Sequence, residues 1–595
     1  MRARRETKLP ASQRVTSWLA LGGTTWYEGD VSAEHPAIIQ GDRTVLLEVD
    51  HPRYEEGRDI LSRFAELERS PEHVHTYRLS ALALWNAAAL GVTTVEVLDG
   101  LRAISRFDLP GHVEHEIQDL MARHGVCRLV DGPDPRTLVL RVDDDAVRLR
   151  LAREPKLAKL VEATGDHFLV PVAHRGALKS GLLAVGYPVD DVAGLVDGAP
   201  LTVTIKHETF TPYPYQTAAV KAFEATGHGV IVLPCGAGKT VIGLLAMAAL
   251  GTRTLVLTSS REAATQWRRE LRARTWLADD AIALYEGVRG AAVAPVTITT
   301  YSMISKKGGA GATGYAHFDR LSQEPWGLII YDEVHLVPAP IFRLTAELQA
   351  RRRLGLTATL VREDGRETEV FALIGPKRYE VGWRALEHSG HIAAATCFEV
   401  RVTMSAAVTA SYAIAPSREQ PRVAAENPAK LTAMSALVER HLGERILIMG
   451  TYLESLRAAA RVLGAPLITG DSPHREREAA YAAFRSGETR ILVLSRVGNF
   501  AIDLPEAAVL IQISGTMGSR QEEAQRLGRV LRPKPGGASF YTIVSRHSCE
   551  EELALHRQLF LTEQGYRFFI EDMTDPEPVA ALPSGDRGAR DDLLN

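Results

Sequence analysis

The sequence predicts an α/β protein with two tandem doubly wound lobes, preceded by small winged-helix-like and α+β units. Three observations carry that reading. Short apolar strands alternate with helical stretches from about residue 214 onward, a second series of the same kind starts near residue 445, and the residues before about 206 follow a different, mixed pattern. The 595 residues are too many for one hydrophobic core, so several units of about 100 to 200 residues are expected.

Composition narrows the class. Hydrophobic residues make up 45% and charged residues 24%, the balance of a soluble globular chain. No run reaches the ~18 apolar residues that could span a bilayer, so no membrane association is expected. The Arg-rich start MRARRETKLPASQRVTSW lacks the apolar region of a targeting peptide and reads as a frayed terminus of a cytoplasmic protein. Cys127, Cys235, Cys397 and Cys549 lie far apart without a CxxC pair, so neither a zinc site nor an iron–sulfur cluster is supported and a reduced compartment fits. The net charge of −4 excludes coating of nucleic acid by charge alone, so any such contact needs a local basic groove.

Taken in order, AIIQGDRTVLLEV (37–49) reads as two short strands around a Gly41-Asp42 turn, giving an N-terminal β-containing unit over 1–70. Helical periodicity then takes over, with Thr93 and Glu96 spaced as a capping box and a third helix between Pro110 and Gly125. Followed by the alternating run TLVLRV (137–142), this makes 71–135 a winged-helix-like module. Strand HFLVPV (167–172), a helix over about 175–184 and strand LTVTI (201–205) form an α+β domain over 136–206. Both modules stand equally as DNA-binding or as packing domains.

After Pro214 the strands GVIVLP, TLVLT, VTITT, GLIIYD and LGLTAT build a buried parallel sheet in a first lobe, 207–392. RILIMG, PLITG, RILVLS, AVLIQIS and SFYTIV build a second, 393–572. The tail 573–595, rich in Pro, Gly and charge, reads as disordered.

The chemistry sits at strand ends. LPCGAGKT (233–240) lies between a strand and an apolar helix, where a phosphate-binding loop belongs. There Pro234, Cys235, Gly236, Ala237 and Gly238 would wrap ATP phosphates, Lys239 would reach the β and γ oxygens, and Thr240 would ligate Mg²⁺. Leu233 replaces the first glycine of the strict pattern. LIIYDEVH (328–335) ends a strand in two carboxylates, Asp332 to hold Mg²⁺ and Glu333 to polarise the attacking water. Thr357 and Thr359 in LTATLVREDGRE (356–367) could relay phosphate state between lobes. In QEEAQRLGRVLR (521–532), Gln525, Arg529 and Arg532 share one helix face able to grip a γ-phosphate held by the other lobe. Each of these has a bland alternative, a glycine turn, an acidic turn or a solvated basic face, and it is their combination that points to ATP hydrolysis.

This order of motifs is that of superfamily 2 helicases, and the chain resembles the bacterial branch of the XPB helicases, the family of the xeroderma pigmentosum group B repair and transcription translocase. The residues that carry the resemblance are PYQ (214–216), the DEVH box, the triplet Arg362-Glu363-Asp364, GNFAIDLPEA (498–507), GSRQEEAQRLGRVLR and, near the start, DRTVLLEVDHP and YRLSALALWNAA. The resemblance implies RecA-like lobes, ATP and Mg²⁺ as cofactors, DNA (duplex, fork or single strand) as partner, and 3′ to 5′ movement in DNA repair. It also implies that Gln216 contacts adenine with Tyr215 beside it in the ATP site, that Asp503 sits near the ribose or γ-phosphate, that His335 and Gly498 couple the motifs, and that 362–364 touch DNA. It places a damage-recognition-like domain at 136–206. A thumb, helical and long in archaeal relatives, is shortened here to 405–430, and Asn499 stands where Asp is common. Two alternatives stay open: a DNA-stimulated ATPase that switches a partner such as a nuclease without much unwinding, and an RNA-directed motor.

Overall fold

The computed structural model describes residues 34–573, apart from 72, 135, 194–196, 209, 288–292, 307–314, 338–343, 346–347, 349, 360–366, 496–503, 505, 516–518, 533 and 535. Arg362, Glu363, Asp364, Gly498 and Asp503 therefore lie outside the described residues, as does the tail beyond Met573.

The chain starts with a four-stranded antiparallel sheet ordered β1 (Ala37–Ile39), β2 (Thr44–Glu48), β4 (Val74–Arg78), β3 (Glu66–Arg69). Helices Ala81–Ala89, Thr94–Ile104 and Gly111–Ala122 pack on it, the second started by the expected Thr93–Glu96 capping box. One core running from Ala37 to Met121 joins sheet and helices. The division expected at residue 70 is thus corrected, because β4 lies beyond it and is the central partner of β2 and β3. The winged-helix reading is corrected for a related reason. Its strands β5 (Cys127–Asp131) and β6 (Thr137–Val142) pair with each other and belong to the next sheet, β7-β8-β6-β5-β9, with β7 (Glu162–Thr164), β8 (His167–Pro171) and β9 (Val189–Asp191). The boundary expected at 135 falls inside that hairpin.

The expected strand 201–205 does not form. That segment runs extended along the first lobe, with Leu201 N donating to Gly251 O and Trp276 N to Thr204 O, and it buries Val203 and Ile205 in the lobe's core. Tertiary packing has taken a β-prone run away from the sheet it follows.

Each lobe is a seven-stranded parallel sheet. The first is ordered β12 (Ile282–Leu284), β13 (Val296–Thr300), β11 (Thr254–Thr258), β14 (Leu328–Asp332), β15 (Arg352–Thr357), β10 (His228–Val232), β16 (Lys377–Glu380). Central strands such as HGVIV and TLVLT are buried throughout because helices cover both faces. The second is ordered β19 (Leu467–Ile468), β20 (Ile491–Leu494), β18 (Ile446–Met449), β21 (Val509–Gln512), β22 (Ala538–Ser545), β17 (Ala395–Val402), β23 (Phe568–Met573). Counting strands from the start of each lobe, the two orders are identical. The segment between β17 and β18 holds two short helices, Ala406–Ile414 and Gln420–Ala425, before helix Ala429–Arg440.

The N-terminal unit touches both lobes. Asn86 Oδ1 accepts from Lys377 N in the first, while Leu559 of the second enters the N-terminal core. Among the described residues no single helix is long and apolar enough to cross a membrane.

Candidate active site between the lobes

The site forms where β10, β14 and β15 end, because in an open parallel sheet the loops at these ends converge. After β10, Ala237 N donates to Pro234 O, closing a tight loop that passes through Gly236 and Gly238, both in the left-handed region at φ 85° and 79°. A side chain at 238 would sit 2.4 Å from the Gln216 amide nitrogen, so only glycine fits there. Lys239 and Thr240 then begin helix Lys239–Leu250, apolar on all sides and deeply buried.

Gln216 Nε2 donates to Ala237 O at 3.1 Å and its Oε1 accepts from Tyr213 N at 3.0 Å. Tyr215 OH donates to the same Ala237 carbonyl at 2.8 Å. Both residues expected in the ATP site therefore brace the back of the glycine loop, beside a ring cluster of Tyr213, Tyr215 and His391.

At the end of β14 the Lys239 ammonium lies 3.4 Å from Glu333. Glu333 adopts φ 50°, left-handed and uncommon for a residue with a side chain, which turns its carboxylate toward Lys239 and His335. Burial pushes the Asp332 carboxyl upward, and the neighbouring Glu333 charge pushes it further. Burial also opposes ionisation of Glu333, but Lys239, His335 and Arg529 outweigh it and hold that group below the ordinary carboxylate range. His335 Nδ1 is 2.6 Å from the Thr357 hydroxyl, which donates to Thr359 O, so the proton on Nδ1 is inferred from that pattern. Thr357 O in turn accepts from Leu233 N, which ties the acidic turn to the start of the phosphate loop.

The second lobe closes over this cleft with helix Arg520–Val530. Gly528 packs on Cys235, where a side chain at 528 would come within 2.2 Å of its Cβ. Arg532 Nη1 donates to Gly236 O at 3.5 Å, and the Arg529 guanidinium is near enough to act on Cys235 and Glu333. Gln525 is buried on the same helix.

The structure thus gathers Lys239, Thr240, Asp332, Glu333, His335, Thr357, Thr359, Arg529 and Arg532 around one cleft. The donor set fits a hard divalent cation such as Mg²⁺: a hydroxyl and adjacent buried carboxylates, with Glu333 Oε2 lacking a hydrogen-bond partner among the described residues. Two residues escaped the motif reading. Trp267 Nε1 donates to Asp332 Oδ2 and Tyr301 OH to Asp332 O, each at 2.8 Å. The one sequence signal for the first is Gly243, an unfavoured residue inside the apolar loop helix, since a side chain there would meet the indole at 2.4 Å.

Residues 386–594 match the family model described as ERCC3/RAD25/XPB C-terminal helicase. Residues 209–362 match one described as type III restriction enzyme, res subunit, and 37–164 one described as helicase conserved C-terminal domain. The chain is 49% identical over 91% of its length to a DNA 3′-5′ helicase XPB of Mycobacterium tuberculosis, covering 98% of that protein. It is 49% identical over 92% of its length to a DNA 3′-5′ helicase XPB of Kineococcus radiotolerans, covering 99% of it. A general transcription and DNA repair factor IIH helicase/translocase subunit XPB of Antonospora locustae is 34% identical over 90% of this chain and 81% of its own.

Proposed function

Because the chain belongs to the XPB helicase family, we propose that it is an ATP- and Mg²⁺-dependent 3′ to 5′ DNA helicase or translocase acting in DNA repair. The observation that carries the ATPase half is the closure of the Arg520–Val530 helix of one lobe onto the phosphate loop of the other. Catalytic groups from two lobes meet there, as a hydrolysis that drives lobe motion requires.

In this reading Gly236, Gly238 and Lys239 take the phosphates, while Thr240 and Asp332 hold the cation. Bound by these two residues, Mg²⁺ would supply charge neutralisation at the phosphates. Glu333, kept ionised by Lys239 and His335, accepts a hydrogen bond from the attacking water and so orients it toward the γ-phosphorus. Arg529 and Arg532 reach the γ-phosphate from the far side and favour the closed state until that phosphate leaves. His335, Thr357 and Thr359 transmit the change to the strand end that precedes 360–366, the segment holding Arg362, Glu363 and Asp364, for which we propose DNA contact. Gly498 and Asp503 keep their family-implied roles as proposals.

Helices of nine and six residues between β17 and Asn427 supply no long wedge. Separating strands costs about 1.4 kcal/mol per stacked step, so a motor without a wedge should track on duplex more readily than open it. The test compares ATP turnover on duplex, fork, single strand and RNA, and strand displacement against duplex length. DNA-stimulated turnover with unwinding limited to short or forked duplexes is expected. Stimulation by RNA over DNA would overturn the DNA reading, and efficient unwinding of long blunt duplexes would overturn the wedge argument. The shortened region also favours a second reading, a DNA-stimulated ATPase that switches a partner such as a nuclease. Turnover without displacement of a roadblock would support it.

A further inference from the structure

We propose that Trp267 and Tyr301, which lie outside the nucleotide motifs, are positioning residues for the acidic turn: Trp267 fixes the carboxylate of Asp332 and Tyr301 fixes the peptide that aims Glu333. This rests on the ATP-hydrolysis reading above.

Trp267 lies on helix Arg261–Arg274, 1% exposed, against the phosphate-loop helix. A buried indole N–H needs an acceptor, and here the acceptor is charged: Oδ2 of Asp332 at 2.8 Å. The indole reaches it only because residue 243 has no side chain. A phenylalanine would keep an aromatic ring in this core but lose the donor, so the N–H is what the test must isolate at 267. With Oδ2 engaged, the Asp332 carboxylate is held in one orientation and offers Oδ1. A partner of this kind behind a metal-binding group usually changes metal affinity by about 10- to 100-fold.

Tyr301 follows β13 directly and is also buried. Its hydroxyl donates to the main-chain carbonyl of Asp332 at 2.8 Å. That carbonyl belongs to the peptide leading into Glu333, whose left-handed backbone at φ 50° is otherwise disfavoured. The bond holds the peptide in the orientation from which the Glu333 carboxylate reaches Lys239 at 3.4 Å and His335 at 3.6 Å. The two donors thus divide the turn, one acting on the cation ligand and the other on the group that orients water.

The test uses the full chain and Mn²⁺, followed by electron paramagnetic resonance in the presence of ADP, with ADP affinity measured separately in EDTA. Trp267→Phe should weaken Mn²⁺ binding by about tenfold, with metal-free ADP affinity unchanged and no further loss when combined with Asp332→Asn. Tyr301→Phe should leave Mn²⁺ affinity unchanged and lower kcat at constant KM for ATP by about tenfold. If Trp267→Phe destabilises the lobe, replacing Trp267 by 3-benzothienylalanine keeps the bicyclic shape with sulfur in place of the N–H donor, and should give the same loss. Wild-type Mn²⁺ affinity in both Trp267 variants would overturn the role of Trp267, and an unchanged kcat in Tyr301→Phe would overturn that of Tyr301. Failure of the unmodified chain to bind Mn²⁺ with ADP would instead overturn the nucleotide reading itself.

Discussion

The two lobes have the same strand order and opposite chemistry. In the first, β10 passes to β11 through the glycine loop and one buried twelve-residue helix. In the second, the equivalent passage from β17 to β18 holds three helices, and the first of them, Ala406–Ile414, buries no residue at all. The ends of the equivalent strands β14 and β21 differ as much. One finishes in Asp332 and Glu333, whereas the other finishes in Gln512, whose amide donates to Glu523 and accepts from Arg526.

That network explains how a lobe without the glycine loop takes part in the candidate site. Glu523 and Arg526 are fully buried, and Arg557 approaches Glu523 at 3.5 Å. They fasten the inner face of helix Arg520–Val530 to the sheet, and at helical spacing this leaves residues 525, 528, 529 and 532 facing the other lobe. Identical topology fixes where loops converge, and the residues on those loops decide whether a lobe carries the glycine loop and acidic turn or presents arginines to them.

If the lobes divide the work in this way, damage to either should stop turnover without the same effect on binding. Arg529→Ala, about 290 residues away from Lys239 in the chain, should lower single-turnover ATP hydrolysis by about 10³-fold while ATP binding to the first lobe persists. A loss confined to DNA affinity would break the comparison. Glu333→Gln should lower hydrolysis by about 10²-fold with ATP affinity retained, and wild-type turnover would remove Glu333 from its role.

Gly528→Ala probes the contact between the lobes. Its new Cβ would stand 2.2 Å from Cys235 Cβ, so closure should be hindered and turnover should fall by about tenfold, short of the ~10²-fold that a full 1 Å misplacement can cost. Cys235→Gly in the same chain should restore part of the rate, because it removes the colliding atom. Equal rates for Gly528→Ala and the unmodified chain would mean that the closed contact is not visited during turnover.

The smallest expected effect concerns how the N-terminal unit leans on each lobe. His75 is buried beside Tyr54, and burial, with Arg58 and Arg567 adding to it, pushes its pKa down from 6.5 to about 4. The folded chain therefore keeps it neutral while the unfolded chain takes up a proton near pH 6.5. Stability of this unit is full above that value and falls as pH drops toward about 4, by no more than about 3 kcal/mol. Because the guanidinium of Arg567, in the second lobe, lies 5.4 Å over the ring of Tyr54, the partner of His75, acidification should loosen this contact before the Asn86–Lys377 contact to the first. Hydrogen-exchange protection factors over 37–121 at pH 7 and pH 5 measure this, and His75→Gln should flatten the difference.

The central strands of both lobes were legible because a continuous apolar run such as GVIV or TLVLT has few alternatives once helices flank it. The geometry of the loop 233–240 was legible because glycines at that spacing before an apolar helix meet a demand of local backbone conformation. Strands such as β16 (KRYE) and β17 (ATCFEVRV), with charged residues along them, carry no such pattern. Their place depends on neighbours more than a hundred residues away.

The sequence by itself determined the lobes, the loop and the acidic turn, since each follows from residues within one strand, turn or helix. Only the tertiary structure decided that β4 joins the first sheet, that 201–205 lies along the first lobe, and that Trp267 and Tyr301 hold Asp332. It also decided that Gly528 meets Cys235 across the cleft. These are contacts between segments distant in the chain, selected by which surfaces remain to be covered once the local elements exist, and a local pattern holds no record of that choice.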